Sequence, residues 1–88
     1  MIDETELDEK AEVSALFRRG GPHNCQPLKF RFKRREVTVT EIGLIYPIHK
    51  KGVLTHIFEL TDGQADFRLE FDTKQLSWKV TREADHYD

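Results

Sequence analysis

Val53-Leu54-Thr55-His56-Ile57-Phe58-Glu59-Leu60, then Thr61-Asp62-Gly63-Gln64, then Ala65-Asp66-Phe67-Arg68-Leu69-Glu70-Phe71, is the stretch that decides the fold. Ala65, Phe67, Leu69 and Phe71 alternate with Asp66, Arg68 and Glu70, the period-two pattern of a strand with one buried face. Asp62-Gly63 has the chemistry of a two-residue type I′ hairpin turn, in which both central residues take positive φ. With Thr61 opposite Gln64, one face receives the pairs Leu60–Ala65, Phe58–Phe67, His56–Leu69 and Leu54–Phe71. The other face receives Glu59–Asp66, Ile57–Arg68 and Thr55–Glu70. A slip of one residue would mix the faces, so the pattern specifies the pairing. The like charges Glu59 and Asp66 are a small penalty beside an exposed turn.

Working outward, Asp72-Thr73-Lys74-Gln75 reads as a loop that sets Phe71 against Leu76, Leu69 against Trp78 and Phe67 against Val80. Residues 53–82 therefore form a three-stranded meander with one apolar side. Upstream, Pro27 opens a second alternating run, Leu28-Lys29-Phe30-Arg31-Phe32-Lys33. A tight turn at Arg34-Arg35 would pair Phe32 with Val37, Phe30 with Val39 and Lys33 with Glu36, although two arginines are poor turn chemistry and a longer loop is the alternative. The strand continues to Tyr46, its alternation slips near Glu41, and Gly43 marks a bulge or bend. Pro47 is expected to end it. Residues 5–19 are ambiguous. Thr5, the following acids and Arg18-Arg19 read as a capped helix, while Val13, Ala15 and Phe17 alternate like a strand. Gly20 to Gln26 reads as a loop.

The 88 residues suit one domain, which buries roughly 60–65% of the surface its unfolded chain exposes and leaves no room for a deep cleft between lobes. At 38% hydrophobic and 34% charged, the composition is that of a folded protein with a solvated surface, not of a disordered one. Cys25 is the only cysteine, so a framework of intrachain disulfides is excluded. The acidic start has no apolar segment of the kind a secretion signal needs, and no apolar run is long enough to span a membrane, so the cytoplasm is the expected compartment. Charge is blocked: residues 1–12 carry net −5, residues 13–58 net +7 and residues 59–88 net −4. Such a layout marks a basic surface between acidic ends, or charges that neutralise one another in the fold.

From Val13 to Trp78 the chain resembles a family of small bacterial β domains of uncharacterised function, often encoded near Y-family DNA polymerases. The residues that carry the resemblance are Val13 to Phe17, Gly20-Gly21, Pro27, the run Phe30-Arg31-Phe32-Lys33-Arg34-Arg35-Glu36-Val37-Thr38-Val39, Asp72 and Trp78. The chain departs from the family pattern at Phe32, where Trp is usual, at Arg34, where Gly is usual, and at Val37, where an aromatic is usual. The resemblance implies a strand over residues 12–18 and a DNA-repair setting, and brings no activity with it.

No catalytic apparatus is legible. Cys25 has His23 two residues away, but His49, His56 and His86 are scattered, and no spacing typical of a zinc site occurs. The hairpin register puts His56 on the apolar face, where a core or rim role is the ordinary one. Phosphate-binding glycine loops and nucleophile elbows are absent. The strongest functional feature is the basic run: Lys29, Arg31 and Lys33 share the outward face of one strand, and Arg34-Arg35 extend it at the turn. Such a strip can contact phosphates, but Phe30 and Phe32 point the other way, and a pI near 6.1 is low for a nucleic-acid-binding domain.

The expected fold is a small, mainly β, antiparallel β-barrel or roll of five to six strands, with the N-terminal segment a strand or short helix. Residues 1–10 are expected as an acidic tail, 11–82 as the single antiparallel β domain and 83–88 as a C-terminal tail. The expected function is that of a non-catalytic accessory or interaction module contacting a protein partner, without cofactor, metal or membrane. The alternative is weak single-stranded nucleic-acid binding through Lys29, Arg31, Lys33, Arg34 and Arg35, linked to DNA repair as the resemblance implies. Oligomeric state is left open.

Overall fold

A computed structural model gives the fold and describes residues 4–17 and 25–86. Seven antiparallel strands form one sheet: β1 (Glu4–Phe17), β2 (Cys25–Phe32), β3 (Arg35–Thr38), β4 (Glu41–Lys50), β5 (Val53–Thr61), β6 (Ala65–Asp72) and β7 (Ser77–Asp85). Their spatial order is β3-β2-β1-β7-β6-β5-β4, and no helix occurs among the described residues. The sheet is all-β and antiparallel as expected, but it has seven strands rather than five to six. The extra strand arises because residues 35–50 break at Val39-Thr40, and the two halves lie on opposite edges of the sheet. The Val39 N–H donates to Leu28 O on β2 at 2.9 Å, and the next N–H, of Thr40, donates to Thr61 O on β5 at 2.9 Å. Two residues span only about 7 Å, so the sheet curls until its edges approach. β3 and β4 do not pair with each other, and the curl is not a closed barrel.

The ambiguous N-terminal segment is strand, not helix. β1 pairs with β7 from Glu4 to Ala11 and with β2 from Glu12 to Phe17, so its backbone groups are used by two neighbours in turn. The expected tails are therefore partly sheet: Glu4 lies opposite Ala84, and β7 runs to Asp85. Cys25 and Gln26, expected in a loop, open β2. The rest of that loop, with His23, lies outside the described residues. Pro47 does not end its strand. It sits within β4, opposite His56, and the strand continues to Lys50. Proline is tolerated there because β4 is an edge strand, where a missing N–H breaks no ladder bond.

Three predicted registers are each displaced by two residues, a shift that preserves faces while changing partners. On β5–β6 the pairs are Phe58–Leu69, Leu60–Phe67 and Glu59–Arg68. On β6–β7 they are Phe71–Trp78, Leu69–Val80 and Glu70–Lys79. On β2–β3 they are Phe30–Val37 and Arg31–Glu36. The displaced β5–β6 register replaces the repulsive Glu59–Asp66 pair with an attractive one. Turn chemistry agrees with it. Only Gly63, at φ 95°, takes positive φ near that turn, so Asp62-Gly63 is not type I′. Instead Asp62 Oδ1 accepts from the N–H groups of Gln64 and Ala65, both at 2.8 Å, and Thr61 Oγ1 accepts from Gly63 N–H.

Pairs of positive φ occur at Lys33-Arg34 (49° and 62°) and at Lys51-Gly52 (51° and 78°), the two-residue turns between β2 and β3 and between β4 and β5. Lys33 and Arg34 hold a left-handed conformation that disfavours a Cβ. Arg34→Gly is expected to stabilise the domain by about 0.5–1 kcal/mol, the relief being offset in part by a more flexible unfolded chain. The check is a higher urea midpoint, and an unchanged or lower one contradicts the strain.

The core lies inside the curl: Phe30, Phe32, Val37, Phe58, Leu60, Phe67, Leu69 and Val80 are buried together. Trp78, expected on the apolar side against Leu69, is half-buried and packs against this cluster, its ring 4.6 Å from Phe71 and 5.4 Å from Phe58. Leu76, expected against Phe71, is a loop residue and 72% exposed. The register shifts at Glu6/Glu9 and Ser14/Ala15 on β1, at Ile42/Leu44 on β4 and at Arg68/Leu69 on β6. At Gly43, Ile42 packs toward the core and Leu44 turns out. At Thr81, Val80 stays inside, Arg82 turns out and Glu83 turns in.

Candidate interaction surfaces

The basic strip is present in geometry but largely committed in charge. Lys29, Arg31 and Lys33 are exposed and alternate with buried Phe30 and Phe32. Lys29 lies 3.7 Å from Glu36, and Lys33 lies 3.5 Å from Glu9. Arg31 is flanked in register by Glu12 on β1 and Glu36 on β3. Among the described residues, Arg31 and Arg34 alone of the five candidates make no ion pair.

Arg35 caps one mouth of the curl. Its guanidinium donates two hydrogen bonds to the Glu83 carboxylate, both at 2.8 Å, and its carbon lies 5.0 Å from the Phe32 ring centroid and 5.9 Å from that of Phe67. The fork geometry of arginine matches a carboxylate while its face covers an aromatic ring. The hydrogen bonds from Arg35 hold the Glu83 carboxyl below its usual range against the opposing effect of burial. A carboxylate with a lowered folded pKa contributes stability above its unfolded value, near 4.3, and that contribution is lost as pH falls through the folded value. Arg35 is half exposed, so the contribution is that of a solvent-screened pair, about 0.5 kcal/mol. Glu83→Gln is expected to remove that much at pH 7 and progressively less as pH falls below the unfolded value and through the lowered folded one. Urea midpoints across that range check it, and a pH-independent difference contradicts the pairing.

On the outer face of the sheet, Glu59 gathers three partners. Tyr46 O–H donates to its Oε2 at 3.0 Å, Arg68 approaches the same oxygen at 2.9 Å, and Arg82 lies 3.5 Å from Oε1. Desolvation, with the bond to Glu59 second, raises the Tyr46 pKa, and the bond to Glu59 raises that of Arg68. A depression of about 250 Å³ beside this cluster is lined by Glu41, Glu59, Asp66, Arg82 and His86 among others. Most of these groups already have a partner: Glu59 meets Arg68 and Arg82, Arg82 also reaches Glu4 at 3.6 Å, and His86 Nδ1 lies 2.6 Å from Asp66 Oδ1, while Glu41 makes no ion pair among the described residues. The arrangement holds strands together and presents no nucleophile with a base.

Among the described residues, Cys25, His49 and His56 lie on different elements and His86 follows β7. Cys25 opens β2, His49 and His56 lie on β4 and β5, and among the described residues no three His, Cys, Asp or Glu side chains group as a metal site. Burial pushes the Cys25 thiol pKa up, which opposes thiolate formation. His56 lies at the rim of the apolar face, opposite Pro47 and Phe71 rather than Leu69.

The free edge of β4 is a surface the sequence reading missed. β4 pairs with β5 on one side, and no described strand pairs with its other side. Leu44 is 62% exposed, and Ile42, Ile45 and Ile48 are half-buried. Between this edge and the start of β2 lies a cavity of about 240 Å³ lined by Cys25, Gln26, Ile42, Gly43 and Ile45. Lys51-Gly52 was the available signal, since a left-handed pair after an alternating run predicts a hairpin and so extends the strand past Pro47. Among the described residues no helix is long and apolar enough to cross a membrane. Comparisons with protein-family models, with curated proteins and with solved structures found no match.

Proposed function

We propose that this chain is a non-catalytic interaction module that contacts a protein partner by accepting an extended segment on the free edge of β4. One observation carries the reading: β4 is a ten-residue edge strand with exposed and half-buried apolar side chains, interrupted by the bulge at Gly43 and by Pro47. Long apolar edges template added strands, and natural proteins usually blunt them more heavily. Strand addition draws affinity from backbone hydrogen bonds and specificity from alternate side chains. The test is selection of unstructured peptides from a displayed random library against the immobilised domain. Selected peptides are expected to alternate apolar residues and to slow hydrogen exchange at the Ile45 and His49 amides. Selection that yields no binder, or binders protecting another surface, discards the reading.

The second reading, single-stranded nucleic-acid binding, is supported by Arg31 and Arg34, which are exposed and make no ion pair among the described residues. The pairing of Lys29, Lys33 and Arg35 with acids weighs toward the protein partner. Retention of the domain on single-stranded DNA at low salt, falling steeply as salt rises, would reverse that order.

A further inference from the structure

We infer that the end of the sheet formed by the β4–β5 and β6–β7 turns docks on an anionic lipid bilayer surface. The inference goes beyond the reading of β4 as a docking edge, because it concerns the turn tips and a different partner.

The two turns are built side by side. Thr73 donates to Leu54 O through its N–H at 3.2 Å and its hydroxyl at 2.7 Å, which ties the β6–β7 turn to the first residues of β5. A concavity of about 260 Å³ between them is lined by Lys50, Lys51, Val53, Gln75 and Lys79 among others. Two leucines are exposed at this end, Leu76 at 72% and Leu54 at 37%. Leu76 also holds φ at 55°, a left-handed conformation that disfavours a Cβ. The fold gains little burial from this side chain, so a strained, exposed leucine at a turn tip argues for a use outside the fold.

Charge selects the partner. Lys51 stands three residues before Leu54 and Lys74 two before Leu76; both lysines are exposed and make no ion pair among the described residues. The acids nearby are engaged within the domain: Asp72 Oδ1 accepts from the N–H groups of Lys74 and Gln75, and Glu70 holds Lys50 at 2.9 Å. Glu41, Asp62, Asp66 and Asp85 gather at the opposite end, around the β5–β6 turn. A negative surface therefore draws the turn end forward and repels the other. Leucine tips add what phosphate alone does not use, and a bilayer takes them between its headgroups. Nucleic acid would use exposed rings for stacking, whereas the large hydrophobics exposed at this end are leucines. A protein partner needs a broad contiguous face, and these leucines stand on separate elements. The expectation of no membrane contact rests on the lack of a spanning segment, which docking on a surface does not require.

Flotation with vesicles tests the inference. The domain is expected to float with phosphatidylcholine vesicles that contain phosphatidylserine, not with phosphatidylcholine alone, and to release as salt rises. Lys51→Gln and Lys74→Gln should each weaken binding about fivefold. Leu76→Asn should weaken it about tenfold or more. Asparagine tolerates a left-handed φ, so the same variant should leave the urea midpoint unchanged or higher. That split separates a contact with lipid from a role in the fold, and circular dichroism should show all three variants folded. Absence of flotation with phosphatidylserine overturns the inference, as does equal flotation with phosphatidylcholine alone. Flotation indifferent to Leu76→Asn also overturns it, moving the contact to another surface such as the strip from Lys29 to Arg34. Retention on single-stranded DNA that the two lysine variants abolish, without flotation, assigns this end to nucleic acid instead.

Discussion

Phe67→Ala is expected to remove about 4 kcal/mol of stability, within the range for deleting a buried phenylalanine. Phe67 is 0% exposed and meets Phe30 edge-on at 5.3 Å and Phe32 at 6.0 Å. Three facts make the site slow to collapse. Its neighbours come from β2 as well as from its own meander, so closing the cavity would require strands distant in sequence to move together. The two edge-to-face contacts are lost along with the buried area. The Arg35 guanidinium also rests over this ring and would lose part of the surface that positions it against Glu83. A domain of this length has a total stability of roughly 4–13 kcal/mol, so the variant should lose between about a third and all of it. Phe67→Leu keeps most of the volume and should lose only about 1–1.5 kcal/mol. Urea denaturation followed by circular dichroism measures both. A midpoint for Phe67→Ala equal to that of Phe67→Leu would show that the core can close over the gap.

Glu59→Gln should cost about 2 kcal/mol, although it changes neither shape nor the apolar core. The β6–β7 register sets Arg68 directly opposite Arg82, a repulsive pair in isolation, and Glu59 on the neighbouring strand faces both. Breaking a fully buried pair commonly costs about 3–5 kcal/mol. Glu59 and its partners are partly exposed, at 19% for Glu59 and 34% and 27% for the arginines, so the smaller figure applies. Tyr46 also loses a charged acceptor. A second substitution separates the causes. If Glu59 acts by neutralising two facing cations, adding Arg82→Gln should recover part of the loss, and the double variant should be more stable than the sum of the singles predicts. With a typical urea slope of about 1–3 kcal/mol per molar, the single variant moves the midpoint by about 0.7–2 M. Strict additivity would show that the arginines swing to solvent and that Glu59 is an ordinary surface acid.

The alternation of apolar and polar residues determined, by itself, that residues 28–32, 53–60, 65–71 and 77–82 are antiparallel strands and which side of most of them is buried. That information is local, because each side chain's face follows from its parity along the strand. It also placed the bulge at Gly43, where parity fails within the sequence. Tertiary structure decided what parity cannot carry. A displacement by two residues keeps every face, so the absolute registers were settled across strands by pairs such as Glu59–Arg68 and Glu70–Lys79 and by side-chain caps in the turns. The bulge at Thr81 has no mark in the sequence, yet it exchanges the faces of Arg82 and Glu83, making one a partner of Glu59 and the other a partner of Arg35. The strip Lys29, Arg31 and Lys33 was legible as a strip, but the acids that neutralise much of it arrive on β1 and β3. The free edge of β4 was not legible at all. A strand is an edge only by virtue of which other strands pair elsewhere, and here the curl that brings Val39 to β2 and Thr40 to β5 leaves β4 with one neighbour among the described strands.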